Sequence, residues 1–179
     1  MHPRNTGAHH VTLFALDHAA AELLARDAPE FAHANALVLT PHVTTAVAIA
    51  QGTARMLHAG AAVMPWVGYL ALEGSMRRAV GTCGFKGAPA ADRSVEIAYF
   101  TFPGEEGRGV ATAMAEGLLR IARASARQVA VVRAHTLPGR SASCRVLEKV
   151  GFVHLGSIVE PEDGLVWRWE QPVSHDGAE

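Results

Sequence analysis

The chain has 179 residues, 49 % of them apolar, enough for one domain of ordinary size with a real core. Lysine and arginine number 16 against 17 aspartate and glutamate, so the formal charge of -1 gives no general attraction to nucleic acid or to a membrane surface. No apolar run approaches the roughly 20 residues of a spanning helix, no leader-like stretch opens the chain, and a cytoplasmic location is the expectation.

Taken in chain order, Val11–Asp17 reads as a short strand that runs into a helix from His18 to Arg26, with Asp17 placed to cap it. Pro29 and Pro41 punctuate a poorly periodic connection before helical spacing resumes from Thr44 to His58. From Trp66 the period changes. Trp66–Leu72, Ala79–Phe85 and Ser94–Phe102 are β-rich and joined by short turns, which predicts an antiparallel meander. After Pro103, Val110, Met114, Leu118 and Ile121 share one helical face. Gln128–Thr136 is a nearly continuous apolar run, the pattern of a strand covered on both faces. A second helix spans Ser141–Val150, with Ser143, Val146, Leu147 and Val150 expected on one side, and Gly151 stops it. A hairpin around Pro161–Gly164 closes the sheet, and the polar tail is expected to be loose. The expected fold is α/β in the α+β sense: a single mixed, mostly antiparallel sheet with helices on both faces. It occupies one domain over residues 1–171, followed by a flexible tail over 172–179.

The cysteines Cys83 and Cys144 form no C-x-x-C pair, and the ten histidines, His9, His10 and His18 among them, show no metal-binding spacing. No metal is assigned. The stretch Pro103–Thr112, PGEEGRGVAT, is more informative. Glycines between a strand and a helix allow positive φ and bare amides, so successive N–H groups at the positive end of the helix dipole can receive an anion. The same three glycines also fit an ordinary tight turn. Neither the P-loop nor the dinucleotide fingerprint matches here. Glu105 and Glu106 are expected to favour the helix start while pointing away from the anion.

Gly107–Met114, GRGVATAM, resembles the acyl-CoA signature of the GNAT acyltransferase superfamily, [Q/R]-x-x-G-x-[G/A], with Glu106, Gly109 and Ala111 at the patterned positions. Gly84–Pro103 is similar to the strand, loop and strand that precede this signature. Arg133–Phe152 resembles the N-x-x-S-x-R-V-L-E-K-x-G-F block of the branch that includes ribosomal-protein N-terminal acetyltransferases. The resemblance covers roughly Val67 to Trp169 and implies an acetyl-CoA-dependent transfer to a primary amine, on a protein N-terminus or a small molecule. It implies that Phe100, Thr101 and Phe102 align the pantetheine arm, and that Gly107, Arg108, Gly109, Val110 and Ala111 hold the pyrophosphate. Ser141 is taken to stand at the asparagine of the block and to hold the cofactor, and family dimers pair through end strands.

Amine attack on a thioester needs a base for the amine and a proton for the leaving thiolate. Glu96 sits in the middle of an apolar strand, where burial would raise its pKa and fit it for the base; a structural partnership with an arginine is the other reading. Ser143 matches the serine of the block and could protonate the thiolate, or could simply satisfy a backbone amide in the first helical turn. Glu106 and Ser141 depart from the family pattern and keep open an alternative, a non-catalytic acyl-CoA-binding module.

Overall fold

The computed structural model describes residues 11–161 and 163–173. Its elements are β1 (Val11–Ala15), α1 (His18–Arg26), α2 (Ala28–Ala34), α3 (Val43–His58), β2 (Gly68–Glu73), β3 (Arg78–Phe85), β4 (Ser94–Thr101), α4 (Val110–Ala124), β5 (Val131–Thr136), α5 (Ala142–Lys149), β6 (Val153–Glu160) and β7 (Gly164–Pro172). The strands form one sheet in the order β1-β2-β3-β4-β5-β7-β6. Every neighbouring pair is antiparallel except β4 with β5. This is the expected mixed, mostly antiparallel sheet.

Period-two patterning gives the sheet two buried faces. On β2, Tyr69 and Ala71 pack into a core with Met114 and Leu118 of α4, while Leu70 and Leu72 turn to a second core with Leu24 of α1, Phe31 of α2 and Ala46 of α3. Asp17 caps α1 as expected, accepting from the amide of Ala20 at 2.9 Å.

Three local expectations change. The segment read as a poorly periodic connection contains α2: Asp27 accepts from the amide of Glu30 at 3.0 Å, and Pro29 sits in the first turn, where its missing N–H costs nothing. Strand β5 is not covered evenly on both faces. Val132, Ala134 and Thr136 are buried, whereas Arg133 and His135 turn to a polar side. On α5 the buried residues are Cys144 and Leu147, and Ser143 is exposed, one residue out of register with the expected apolar face. At the C-terminal end Pro172 is in register with Val131, and the amide of Val173 donates to Ala130 at 2.8 Å. The histidines His9 and His10 and the tail from residue 174 lie outside the described residues.

Candidate active site

β4 and β5 pair only along Ser94–Glu96 and Val131–Arg133. Beyond that register β4 stays on β3 and β5 stays on β7, so the two parallel strands part. A cavity of about 270 Å³ lies where they diverge, lined by Glu96, Tyr99, His135, Thr136 and Ser143 among others.

Glu96 stands at the root of this opening. Its side chain is 24 % exposed and ion-paired, in contrast to the isolated buried carboxylate expected from its apolar strand. Lys86 Nζ lies 2.6 Å from Oε1, and Nδ1 of His135 lies 3.1 Å from the same oxygen. Oε2 accepts no hydrogen bond from the described residues. Because the carboxylate accepts from Nδ1, the neutral His135 ring carries its lone pair on Nε2. Nε2 is buried with no hydrogen-bond partner among the described residues, 3.8 Å from Oε1 of Glu160. Glu160 and Asp163 of the closing hairpin, the latter 3.5 Å from Lys86, add negative charge at the mouth.

A larger groove of about 690 Å³ begins at Tyr99, Phe100 and Thr101, passes the glycine turn and the start of α4, and ends on Arg145 and Lys149 of α5. Gly107 and Gly109 adopt φ of 73° and 84°, a conformation side chains other than glycine's rarely take, and a Cβ on either would meet only open space. No side chain caps α4, whose first turn carries no acidic residue, so its leading amides stay uncovered at the positive end of the helix. Oγ1 of Thr101 is buried in the groove wall without a hydrogen-bond partner among the described residues. An orphaned hydroxyl, uncapped amides and two cations fit an elongated ligand with amide and phosphate groups.

Of the residues assigned to this groove from sequence, Phe100, Thr101, Gly107, Gly109, Val110 and Ala111 line it. Three do not. Phe102 is fully buried in the second core, tilted against His42. Arg108 points to a network beneath the turn, where it bonds Glu105 and both oxygens of Glu73 at 3.0 Å, so it is committed to carboxylates and does not line the groove. Ser141 caps α5, accepting from the amide of Cys144 at 3.3 Å. Counted back from Arg145–Phe152, the asparagine of the block falls on the exposed Arg140 and not on Ser141.

The two glutamates of the turn also differ from expectation. Glu105 is buried and bonded by Arg78 and Arg108, and the Arg78 guanidinium above all holds its carboxyl below the ordinary range. Glu106 lines the groove and accepts from the amide of Gly104 at 2.7 Å. Neither lies in the first turn of α4.

Tyr99 is a residue to which the sequence assigns no role. It lines both the cleft and the groove, and also a third cavity of about 270 Å³ on the α3 side of the sheet. Its hydroxyl donates to the carbonyl of Ser143 at 3.3 Å, and burial, with the Cys144 thiol adding, keeps the phenol protonated well above its usual range. The third cavity has walls of Ile49, Met56, Phe85 and Phe100 and meets the cleft at Lys86, Ala98 and Tyr99. Only the backbone position of Tyr99, where β4 leaves β5, reveals this junction.

A sheet that splays beside a glycine turn, with a groove on one side and a cavity on the other, can hold an elongated ligand and a separate small group side by side. The family model for the acetyltransferase (GNAT) domain matches residues 11–153. The chain therefore belongs to the GNAT acetyltransferase family, whose co-substrate is acetyl-CoA. Among curated proteins no significant match is found. Similar solved structures include a ribosomal L7/L12 α-N-protein acetyltransferase in complex with coenzyme A, at 15 % identity and a TM-score of 0.61, covering 93 % of this chain and 96 % of that one. An aminoglycoside acetyltransferase in complex with coenzyme A is 16 % identical with a TM-score of 0.63, over 91 % and 95 % of the two chains. A microcin C7 self-immunity acetyltransferase in complex with acetyl-CoA and AMP is 14 % identical with a TM-score of 0.62, over 91 % and 92 %. These likenesses are of fold. No helix among the described residues is long and apolar enough to cross a membrane.

Proposed function

We propose that the protein acetylates a primary amine carried on a compact apolar body, taking the acetyl group from acetyl-CoA. The observation that supports it most is the convergence of the polar groove, the charged cleft and the apolar cavity on Tyr99. In this reading Arg145, Lys149 and the amides from Gly107 to Ala111 receive the phosphates of acetyl-CoA, and Thr101 meets its pantetheine arm. Bound there, acetyl-CoA supplies an activated acyl carbon.

The apolar walls of Ile49, Met56 and Phe85 hold the body of the acceptor, and the carboxylates at the cleft draw its ammonium group. Glu96 takes a proton from the amine, directly or through a water on Oε2, as the nitrogen attacks the acyl carbon. A C–N bond forms and the C–S bond breaks. The hydroxyl of Ser143, a residue that lines both cleft and groove, protonates the departing sulfur and regains a proton from solvent, which takes up the ammonium group's other proton before attack, and Tyr99 fixes the Ser143 backbone. Lys86 and His135 hold the Glu96 carboxylate in place. The acceptor is a small molecule or a protein N-terminus with an apolar first side chain. A homodimer through the β6 edge, which exposes Val153, Leu155 and Val159, completes the reading and is checked by sedimentation equilibrium.

Calorimetric titration with acetyl-CoA, with NADH and ATP as controls, tests the donor assignment. Selective binding of acetyl-CoA is expected, and no binding at millimolar donor overturns it.

A further inference from the structure

On the surface formed by α1 and α3, well apart in sequence from the cleft residues, His18, Glu22 and His58 bring their ligand atoms within 4.8 Å of one another. Two features set this group apart from a solvated charge cluster. His18 and Glu22 stand one helical turn apart on α1, a His/carboxylate spacing that the sequence patterning passed over. His58 closes the group from the last residue of α3, so its partners come from two different helices.

The chemistry at His58 is the stronger observation. Its Nδ1 lies 2.9 Å from the carbonyl of Ala54, which can only accept, so Nδ1 carries a proton. In the neutral ring Nε2 then presents a lone pair, and it faces Oε1 of Glu22 at 3.3 Å. The other oxygen of Glu22 meets Nδ1 of His18 at 3.5 Å, and the two imidazole rings sit edge to face with centroids 4.5 Å apart. Lone pair against lone pair is repulsive unless a proton or a cation lies between. Without a metal, a proton on Nε2 of His58 satisfies its contact with Oε1, and a neutral His18 with its proton on Nδ1 satisfies the contact with Oε2. A single divalent ion satisfies all three groups.

We propose that His18, Glu22 and His58 form a site for a divalent transition-metal ion that ties α1 to the C-terminal end of α3. Two imidazoles and one carboxylate are a zinc(II) donor set, with water completing a tetrahedron. The 3.3 Å contact is to Oε1 of Glu22 and the 3.5 Å contact to Oε2, and one ligand atom from each residue lies within 4.8 Å of the others, close enough to converge on one ion with bonds of about 2.0–2.2 Å after small side-chain rotations. The bond from Nδ1 of His58 to Ala54 is the outer contact that fixes a ligating imidazole in its metal-binding tautomer. The ion would brace α3, which walls the apolar cavity with Ile49 and Met56. The site stands on its own geometry and does not depend on the acetyl-transfer mechanism.

Zinc chloride titrated by calorimetry into the full-length protein, in a buffer that does not bind metal, tests the site. Cobalt(II) serves as a spectroscopic probe of tetrahedral nitrogen and oxygen ligation. One equivalent is expected, with a rise in thermal midpoint. H58A and E22Q should each lower zinc affinity at least about tenfold, and H154A should leave it unchanged. Metal-free melting of each variant establishes that it folds. No zinc binding at millimolar free ion overturns the proposal. Binding that H58A and E22Q leave intact overturns it too, because the metal then sits on other histidines.

Discussion

Two charged clusters flank the splay, and their contrast shows how one chemistry serves two ends. Beneath the glycine turn, Glu73, Arg78, Glu105 and Arg108 form a closed set: each guanidinium reaches both carboxylates, and both oxygens of Glu105 are engaged. In the cleft, Lys86, Glu96, His135 and Glu160 form an open one, where Lys86 Nζ and His135 Nδ1 both contact one oxygen of Glu96 and Nε2 of His135 has no hydrogen-bond partner among the described residues. The closed cluster anchors a loop. The open one keeps proton-binding atoms in reserve where two strands part.

Substitutions separate the two roles. Glu96→Gln keeps the shape of the cleft but removes the proposed base, so kcat should fall by about 10²–10⁴ while calorimetric affinity for acetyl-CoA stays the same; equal loss of both would make Glu96 a structural residue. Glu105→Ala leaves Arg78 and Arg108 sharing Glu73 alone within this cluster and costs about 2 kcal/mol, reduced from a fully buried pair because the arginines are partly exposed. For a chain of this size that is a fall of about 4–8 °C in Tm. Since the Glu105 pKa is depressed, its contribution is complete above the ordinary glutamate value of about 4.3 and is lost as pH falls through the native value. Acid melts of Glu105→Gln should show less pH dependence than the parent.

On the groove side, Arg145→Ala weakens acetyl-CoA about tenfold, roughly 1.4 kcal/mol, and Arg108→Ala leaves that affinity unchanged while lowering Tm. Filling the apolar cavity with Ile49→Trp raises KM for the amine about tenfold without altering donor affinity; the reverse pattern would move the acceptor elsewhere. Glu106→Gln removes a negative charge from the groove wall and tightens acetyl-CoA about two- to fivefold. An unchanged or weaker affinity would mean that its bond to Gly104 matters more than its charge.

Periodic features were legible from sequence. The β2–β4 meander, α4, α5 and the closing hairpin follow from patterning, and the glycine turn follows from the need for positive φ at Gly107 and Gly109. Helix α2 was hidden because Pro29 looks like a breaker until it is seen in a first turn. Within the site, Phe100, Thr101 and the amides of the turn were readable as a run beside a signature. Arg108 was misread because a cation among glycines suggests phosphate, whereas its partners Glu73 and Glu105 come together only through the sheet. His135 and Tyr99 carried no local signal. Their positions follow from the parting of β4 and β5 after Glu96 and Arg133, a tertiary event.

The most direct measurement is thiol release from acetyl-CoA by the parent protein across a panel of primary amines matched in charge and graded in apolar bulk, with polyamines and N-terminal peptides included. Turnover that rises with a compact apolar body beside the amine is the expected result. Acetyl-CoA bound with no thiol released by any amine would contradict it and leave a binding module in the same fold.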